Sequence, residues 1–594
     1  MDTTGRIVRH GAVDERRYRS ASSENNGVAS TSCQGRETLE CPHISPTTAA
    51  EALVKEAKMH IGRFFYENGL DFDAVNSPSF QSMISLFCRR GMQCQAPTVE
   101  ELKGWIFEDV IKEMNQRVDE IRRSWAETGC TIMLDGWTDA NGRSLVNVLV
   151  DCPKGTVYLH SSDISDCLKN MDAMQTFFAK ILAEVGVQNV VQIMTYSSSA
   201  FMKEAGTQLM ERYRPIFWTV SASHCIELML EKLGSMDLIK QTLEKAKIIT
   251  RFVHSNPIAL KYMQEQTNGS GLVDSSRTRS IRPFLVLENI VINKETLKTM
   301  LSSSHSQSSI LMSTMEGRRV AELVADRLFW TGAVTILKGA IPLVRVIEWM
   351  NKSGNDHMGY IYETIDQAKE TIKEGFKKKS AYAPFWQAID DVWNESLYSP
   401  LHSTGYYFNP NLFFSTDVFI DPEVVTGLCC CIVRSTADFQ MQDRITVQME
   451  QYRTAKGAMA AGVAEDRRSN ISPALWWLRY GGECPELQRL VVRVLSQTCD
   501  GAAKFQLNRS LAEALLNKRR NEDGQERLRD MVFLRYNMQL QNFVPGKTTY
   551  IGSDELDLVD DWIGNESRND VSQNGDASGM EMDGGGLSVL GMRR

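Results

Sequence analysis

Apolar positions first recur with helical spacing at Thr47. The stretch TAAEALVKEAKMHIGRFFYENG keeps one apolar face and ends on Gly, which predicts a helix. VNSPSFQSMISLFCRRG predicts a second helix. TVEELKGWIFEDVIKEMNQRVDEIRRSWAETG predicts a third, long and amphipathic, with Thr98 and Glu101 as a capping box. The period then changes. CTIMLDGWTD, SLVNVLVDCP and GTVYLHSSDIS read as three consecutive strands joined by NGR and KG turns. After them come helix MDAMQTFFAKILAEVG, strand NVVQIMTYS, helix AFMKEAGTQLMERY, strand PIFWTVSAS and helix HCIELMLEKLGSM.

Three antiparallel strands followed by alternating helix and strand is the order of an RNase H-like core. A Rossmann arrangement would need helices between the first strands, and no GxGxxG occurs. The fold class is therefore α/β plus all-α. A helical lead-in (47–129) precedes an RNase H-like core (130–235). A large helical insertion (236–465) follows, broken by the loops NGSGLVDSSRTR and SSSHSQSS and by the less regular YSPLHSTGYYFNPNLFFSTD. A compact segment (466–545) then closes the core. Residues 1–46 are polar, and 546–594 are acidic and then Gly-rich; both compositions predict disorder.

Composition narrows the chemistry. The chain has 594 residues, 42% of them hydrophobic, and a formal net charge of -8. Any nucleic-acid contact must therefore come from a local basic patch. No run approaches the roughly 20 apolar residues of a membrane span, and the first residues lack the apolar core of a signal peptide. The thirteen cysteines, odd in number and without framework spacing, read as thiols of a reducing compartment. Cys33, Cys41 and His43 lack the paired spacing of a zinc finger.

Six stretches, in order, resemble plant hAT transposase-like proteins. The first is FFYENGLDFDAVNSPSFQSMI. The second, TIMLDGWTD with the strands after it, is similar to the family's plant domain of unknown function. SASHCIELMLEKLG, MGYIYETIDQAKETI and SPLHSTGYYFNPNLFF follow. SPALWWLRYGGECPELQRLVVRVLSQTC resembles the hAT C-terminal dimerisation region. The resemblance covers about residues 55–545.

It implies two Asp and one Glu holding two Mg²⁺ or Mn²⁺ ions at a scissile phosphate. Asp135 in LDGWTD matches the first Asp. The alternative for Asp135 is a cap on the turn into Gly136. The second Asp position holds Tyr196, whose phenol is no anionic ligand at neutral pH. The Glu, typically followed by Arg, maps onto Phe505 or Gln506 in SQTCDGAAKFQLNRS, and no Glu lies between Gln497 and Ala512. Asp139, Asp163 and Asp166 are the available substitutes. A Cys-x-x-His pair of the family survives only as His224, which reads as structural or as a residual pair with Cys225. The SSSHSQSS loop lacks the Trp that many relatives carry, and no BED-type finger is expected.

The remaining signals are less specific. The CCC run, Cys429 to Cys431, reads as buried core. Lys377 to Lys379, and the cluster Lys518, Arg519, Arg520, Arg527 and Arg529, read as solvated helix faces or as phosphate contacts or an import signal. Trp476 and Trp477 read as core or as anchors of the dimerisation region.

The expectation is thus a domesticated transposase-like protein without catalytic activity. It would need no cofactor, act in the nucleus as a homodimer or a heterodimer with related hAT-like proteins, contact DNA optionally, and have no membrane partner. The alternatives are an active Mg²⁺- or Mn²⁺-dependent transposase or nuclease using substitute carboxylates, and a sequence-specific DNA binder.

Overall fold

The structure, a computed structural model, describes residues 46–544, apart from 90–94, 268, 270, 273–279, 303–307, 353–355, 416–419 and 518–521. Helices α1 (Pro46–Asn68) and α2 (Pro78–Arg89) stand where the periodicity placed them. The third predicted helix is two: α3 (Val99–Lys103) and α4 (Trp105–Thr128). Between them Gly104 adopts φ -110° and ψ -119°, which ends the first helix. The Thr98–Glu101 capping box is present, and Glu101 also holds the Lys58 ammonium at 2.7 Å.

Five strands form one sheet: β1 (Cys130–Thr138), β2 (Ser144–Cys152), β3 (Gly155–Asp163), β4 (Val190–Thr195) and β5 (Phe217–Val220). Their order is β3-β2-β1-β4-β5. β1, β2 and β3 are antiparallel neighbours, whereas β1, β4 and β5 run parallel. Helices α5 (Met171–Val185), α6 (Ala200–Arg212) and α7 (Ala222–Ser235) connect or follow the parallel strands. Gly129, at φ +68°, turns α4 into β1; a Cβ there would meet Val191.

β1 is buried on both faces. Ile132 and Leu134 join Val148 of β2, Phe178 of α5 and Leu209 of α6 in one core. Met133 and Trp137 point the other way, into a core closed by Leu511, Val532 and Tyr536. Those three side chains come from helices Arg509–Leu516 and Glu522–Gln541, almost 400 positions downstream.

A buried polar clamp joins the two ends. Thr131 donates to Gln497 Oε1 at 2.9 Å and accepts from Gln192 Nε2 at 2.8 Å. Gln192 also reaches the Thr498 carbonyl, and Gln497 reaches the Thr128 carbonyl. Glu522–Gln541 further contributes Leu534 and Met538 to the core beneath α1 and α4.

Residues 236–465 are mainly helical, in agreement with the periodicity. The expected irregular stretch is more ordered than its composition suggested. Ser399 caps the helix Pro400–Tyr407, Asn409 caps Pro410–Phe413, and residues 401–410 are all buried. One helix, Arg327–Lys352, corrects the expectation on apolar runs: a 25-residue stretch of it has the length and composition to cross a membrane, at mean hydropathy 1.3. Here it carries Phe329, Ala333, Ile336 and Leu343 into the helical core.

Trp476 and Trp477 anchor that same core. Both are fully buried. Trp476 Nε1 donates to the Ala464 carbonyl and Trp477 Nε1 to the Phe408 carbonyl, each at 2.8 Å. Tyr452 stacks beside Trp477 with ring centroids 4.8 Å apart. Of the two readings for this pair, core is the one the fold supports, since neither ring is open to a partner. Replacing Trp477 with Ala is expected to lower stability by roughly 3–5 kcal/mol. Arg479→Ala, on the exposed face of the same helix, should change it by less than about 0.5 kcal/mol. Urea denaturation of the two variants checks this contrast.

Candidate functional site

Asp135 lies inside β1 on the face shared with Met133 and Trp137, and is only 5% exposed. The turn-cap reading is not what the fold shows. β1 continues through Gly136 to Thr138, and the turn that follows is organised by Asp139, whose Oδ1 accepts from the backbone amides of Asn141 and Arg143. Asp135 instead faces Asn147, its partner in register on β2.

Asn147 Nδ2 lies 3.5 Å from Asp135 Oδ2, and Arg509 Nη2 lies 3.4 Å from Oδ1. Arg509 also sits over the Trp137 ring, 5.4 Å from its centroid. The polar chain continues outward. Ser161 donates to Asn147 Oδ1 at 2.7 Å, and the Tyr158 hydroxyl is 2.7 Å from Ser161 Oγ. One carboxylate is thus wired across three antiparallel strands and neutralised by one guanidinium. Burial raises the Asp135 pKa, while Arg509 and Asn147 oppose the rise.

Tyr196 follows β4 directly. Its ring fills the space into which a Cβ on Gly136 would project, so the glycine is what admits it. Burial, and then the charge of Asp135, raise the phenol pKa. Phe505 is buried, with its ring 4.8 Å from that of Phe543. Gln506 is exposed, with φ +50°. The residue that this segment delivers to Asp135 is neither of them but Arg509, three to four positions later.

The substitute carboxylates do not converge. Asp139 pairs with Arg143 at 2.7 Å, Asp163 accepts from Ser165, and Asp166 is fully exposed. Buried Asp151 holds the Thr156 hydroxyl and lies opposite Thr131. Thirteen ångströms is about the rise of the four residues separating Thr131 from Asp135, too far for one ion. Asp500 accepts from the Gly501 amide at 2.9 Å and from Ser221. Among the described residues no three His, Cys, Asp or Glu side chains form a group that could hold a metal ion. The residues around Asp135 therefore do not fit a pair of Mg²⁺ or Mn²⁺ ions, which need several anionic oxygens to offset dehydration.

His224 is half-buried, and burial lowers its pKa. Cys225 is buried, which pushes its thiol up to about 12 and keeps it from acting as a thiolate. Cys429, Cys430 and Cys431 are exposed, intermediate and buried in turn, as three successive helical positions should be, so only the last is core. Lys377 to Lys379, Arg527 and Arg529 are exposed. Lys518, Arg519 and Arg520 lie outside the described residues, as do Cys33, Cys41, His43 and most of the SSSHSQSS loop.

Sequence reasoning missed Asn147, Ser161 and Arg509 as neighbours of Asp135. For Arg509 a signal existed, since the compared motif carries an Arg after its Glu.

The fold prefers the protonated form of Asp135. That preference is complete below the usual carboxylate range and is lost as pH rises through the raised value. Asp135→Asn, uncharged throughout, is expected to match or exceed the parent in thermal stability at pH 7. Its advantage should shrink on acidification to about pH 4, where the parent carboxyl takes up its proton. Melting curves at the two pH values provide the check.

Comparison with known families places both halves of this arrangement. Residues 97–249, which carry α3 through α7 and all five strands, match a domain of unknown function, DUF659. Residues 456–538, which carry Trp476, Trp477 and Arg509, match the hAT family C-terminal dimerisation region. No curated protein matches the chain. Both matches fall where the strand-bearing core and its covering helices lie, and together they indicate a hAT-family transposase-like protein.

Proposed function

We propose that this chain is a domesticated hAT transposase relative without catalytic activity. It works through self-association, or association with related hAT-like proteins, and through optional contacts with nucleic acid. The proposed setting is the nucleus, with no cofactor and no membrane partner. The sheet order β3-β2-β1-β4-β5, with three antiparallel strands leading into a parallel pair, supports reading the core as RNase H-like.

The observation that carries the loss of activity is the company of Asp135. Its carboxylate is bound by a guanidinium and an amide instead of by further carboxylates. Tyr196 adds an uncharged phenol beside it where an anionic oxygen would be needed. A group so neutralised offers a divalent ion little charge. Self-association is favoured by the match to a dimerisation region. Because Trp476 and Trp477 are internal, the proposed contacts fall on other side chains. Leu475 and Leu478, which the same helix leaves about 40% exposed, are the first candidates.

Two measurements test the proposal. Incubated with end-labelled duplex DNA and Mn²⁺, the full chain is expected to produce no more nicking than Asp135→Asn. Cleavage that disappears in that variant would establish the active-enzyme alternative. Sedimentation equilibrium at micromolar concentration is expected to return twice the chain mass of 67.0 kDa. A monomer there removes the self-association half of the reading.

A further inference from the structure

A cavity of about 790 Å³ opens in the helical region, far in sequence from Asp135. Its walls come from four helices: the end of Arg282–Ile292, then Lys294–Leu301, Met315–Ala325 and Arg327–Lys352. Four cations line it, Lys294, Lys298, Arg327 and Lys338, and no carboxylate does. Such an imbalance is unusual in a chain of net charge -8.

The spacing places these charges on common faces. Lys294 and Lys298 are four residues apart on one helix. Arg327, Thr331, Thr335 and Lys338 follow one stripe of another. Carboxylates adjacent in sequence are already engaged. Glu295 pairs with Lys298 at 3.0 Å, and Asp326 pairs with Lys245 at 3.4 Å. Among the described residues no carboxylate forms an ion pair with Lys294, Arg327 or Lys338. The Lys294 ammonium rests 5.0 Å from the centroid of the buried Trp330 ring, whose Nε1 is spent on the Val324 carbonyl. Thr331 and Thr335 donate their hydroxyls to their own helix.

The donors left for a guest are therefore cationic. Val291, Leu301 and Val334 supply apolar wall between them. The volume falls within the roughly 300–1,000 Å³ typical of small-molecule sites.

We propose that this cavity binds a small organic ester carrying two or more phosphate groups in series, of the nucleoside polyphosphate class. Phosphate brings several acceptor oxygens and close to two negative charges, and a guanidinium meets it with a two-pronged donor set. Arg327 and Lys338 are eleven residues apart, about 16 Å along a helix axis. One inorganic phosphate cannot touch both, whereas a polyphosphate with an attached organic body can. That body lies against the apolar wall.

Calorimetric titration of the full chain tests this, with ATP, tripolyphosphate and an unphosphorylated single-stranded decanucleotide as probes. ATP is expected to bind saturably, and tripolyphosphate more weakly. The exposed double reversal Arg327→Glu/Lys338→Glu should weaken ATP by at least about tenfold. The control reversal Lys247→Glu/Lys261→Glu, away from the cavity, should leave binding unchanged, and both variants should melt like the parent. Should the first pair prove unstable, Lys298→Gln provides the same readout with a smaller loss. The proposal is overturned by absence of ATP saturation at millimolar concentration, by equal weakening in the control, or by a decanucleotide that binds where ATP does not.

Discussion

Strand β1 has no solvent face, and the rest of the molecule is arranged around that fact. A strand buried on both sides must be covered twice. The first cover is local: α5 and α6 follow within about eighty residues and bury Ile132 and Leu134. The second arrives from the far end of the chain, where Leu511, Val532 and Tyr536 close over Met133 and Trp137. The Thr131–Gln192–Gln497 clamp sets the register of that closure, since each amide and hydroxyl in it is buried and has a partner. Everything between residues 236 and 465 is inserted between the two covers.

That arrangement explains how Asp135 acquired its present neighbours. Helix Arg509–Leu516 is held against β1 by apolar contacts, and Arg509 at its first turn reaches the carboxylate. The pair is half open: Arg509 is partly solvated, while Asp135 is nearly buried. Burial raises the carboxyl pKa and the guanidinium lowers it, so the charge is tolerated, not exploited. Just beyond the end of the neighbouring strand, Tyr196 occupies the hollow left by Gly136, a fit that any larger residue at 136 would disturb.

The helical region contributes differently. Its core is dense with aromatic pairs, and Trp476 and Trp477 belong to it together with Tyr452 and Phe408. The segment matched to the dimerisation region is therefore a structural keystone of this core. The basic cavity sits elsewhere in this region, beside Trp330, with its cations supplied by Lys294–Leu301 and Arg327–Lys352.

The sequence by itself determined the strands and the helices between them, and it showed Tyr196 and Phe505 or Gln506 where the resemblance implies two of the three carboxylates. Period-two and period-3.6 patterns are local, and β1 to β5 were legible within three residues of each end. The helix within residues 400–407 was not legible, because tertiary burial overrides local propensity there, whereas the break at Gly104 follows from the glycine itself. Tertiary structure alone decided which side chains surround Asp135. Asn147 faces it through antiparallel register, and Arg509 reaches it across 374 positions. No pattern along the chain encodes such contacts, since they depend on where a distant helix lands. The same holds for Trp476 and Trp477: their apolar character was plain in the sequence, but whether that surface met a partner or the chain's own core was settled only by packing.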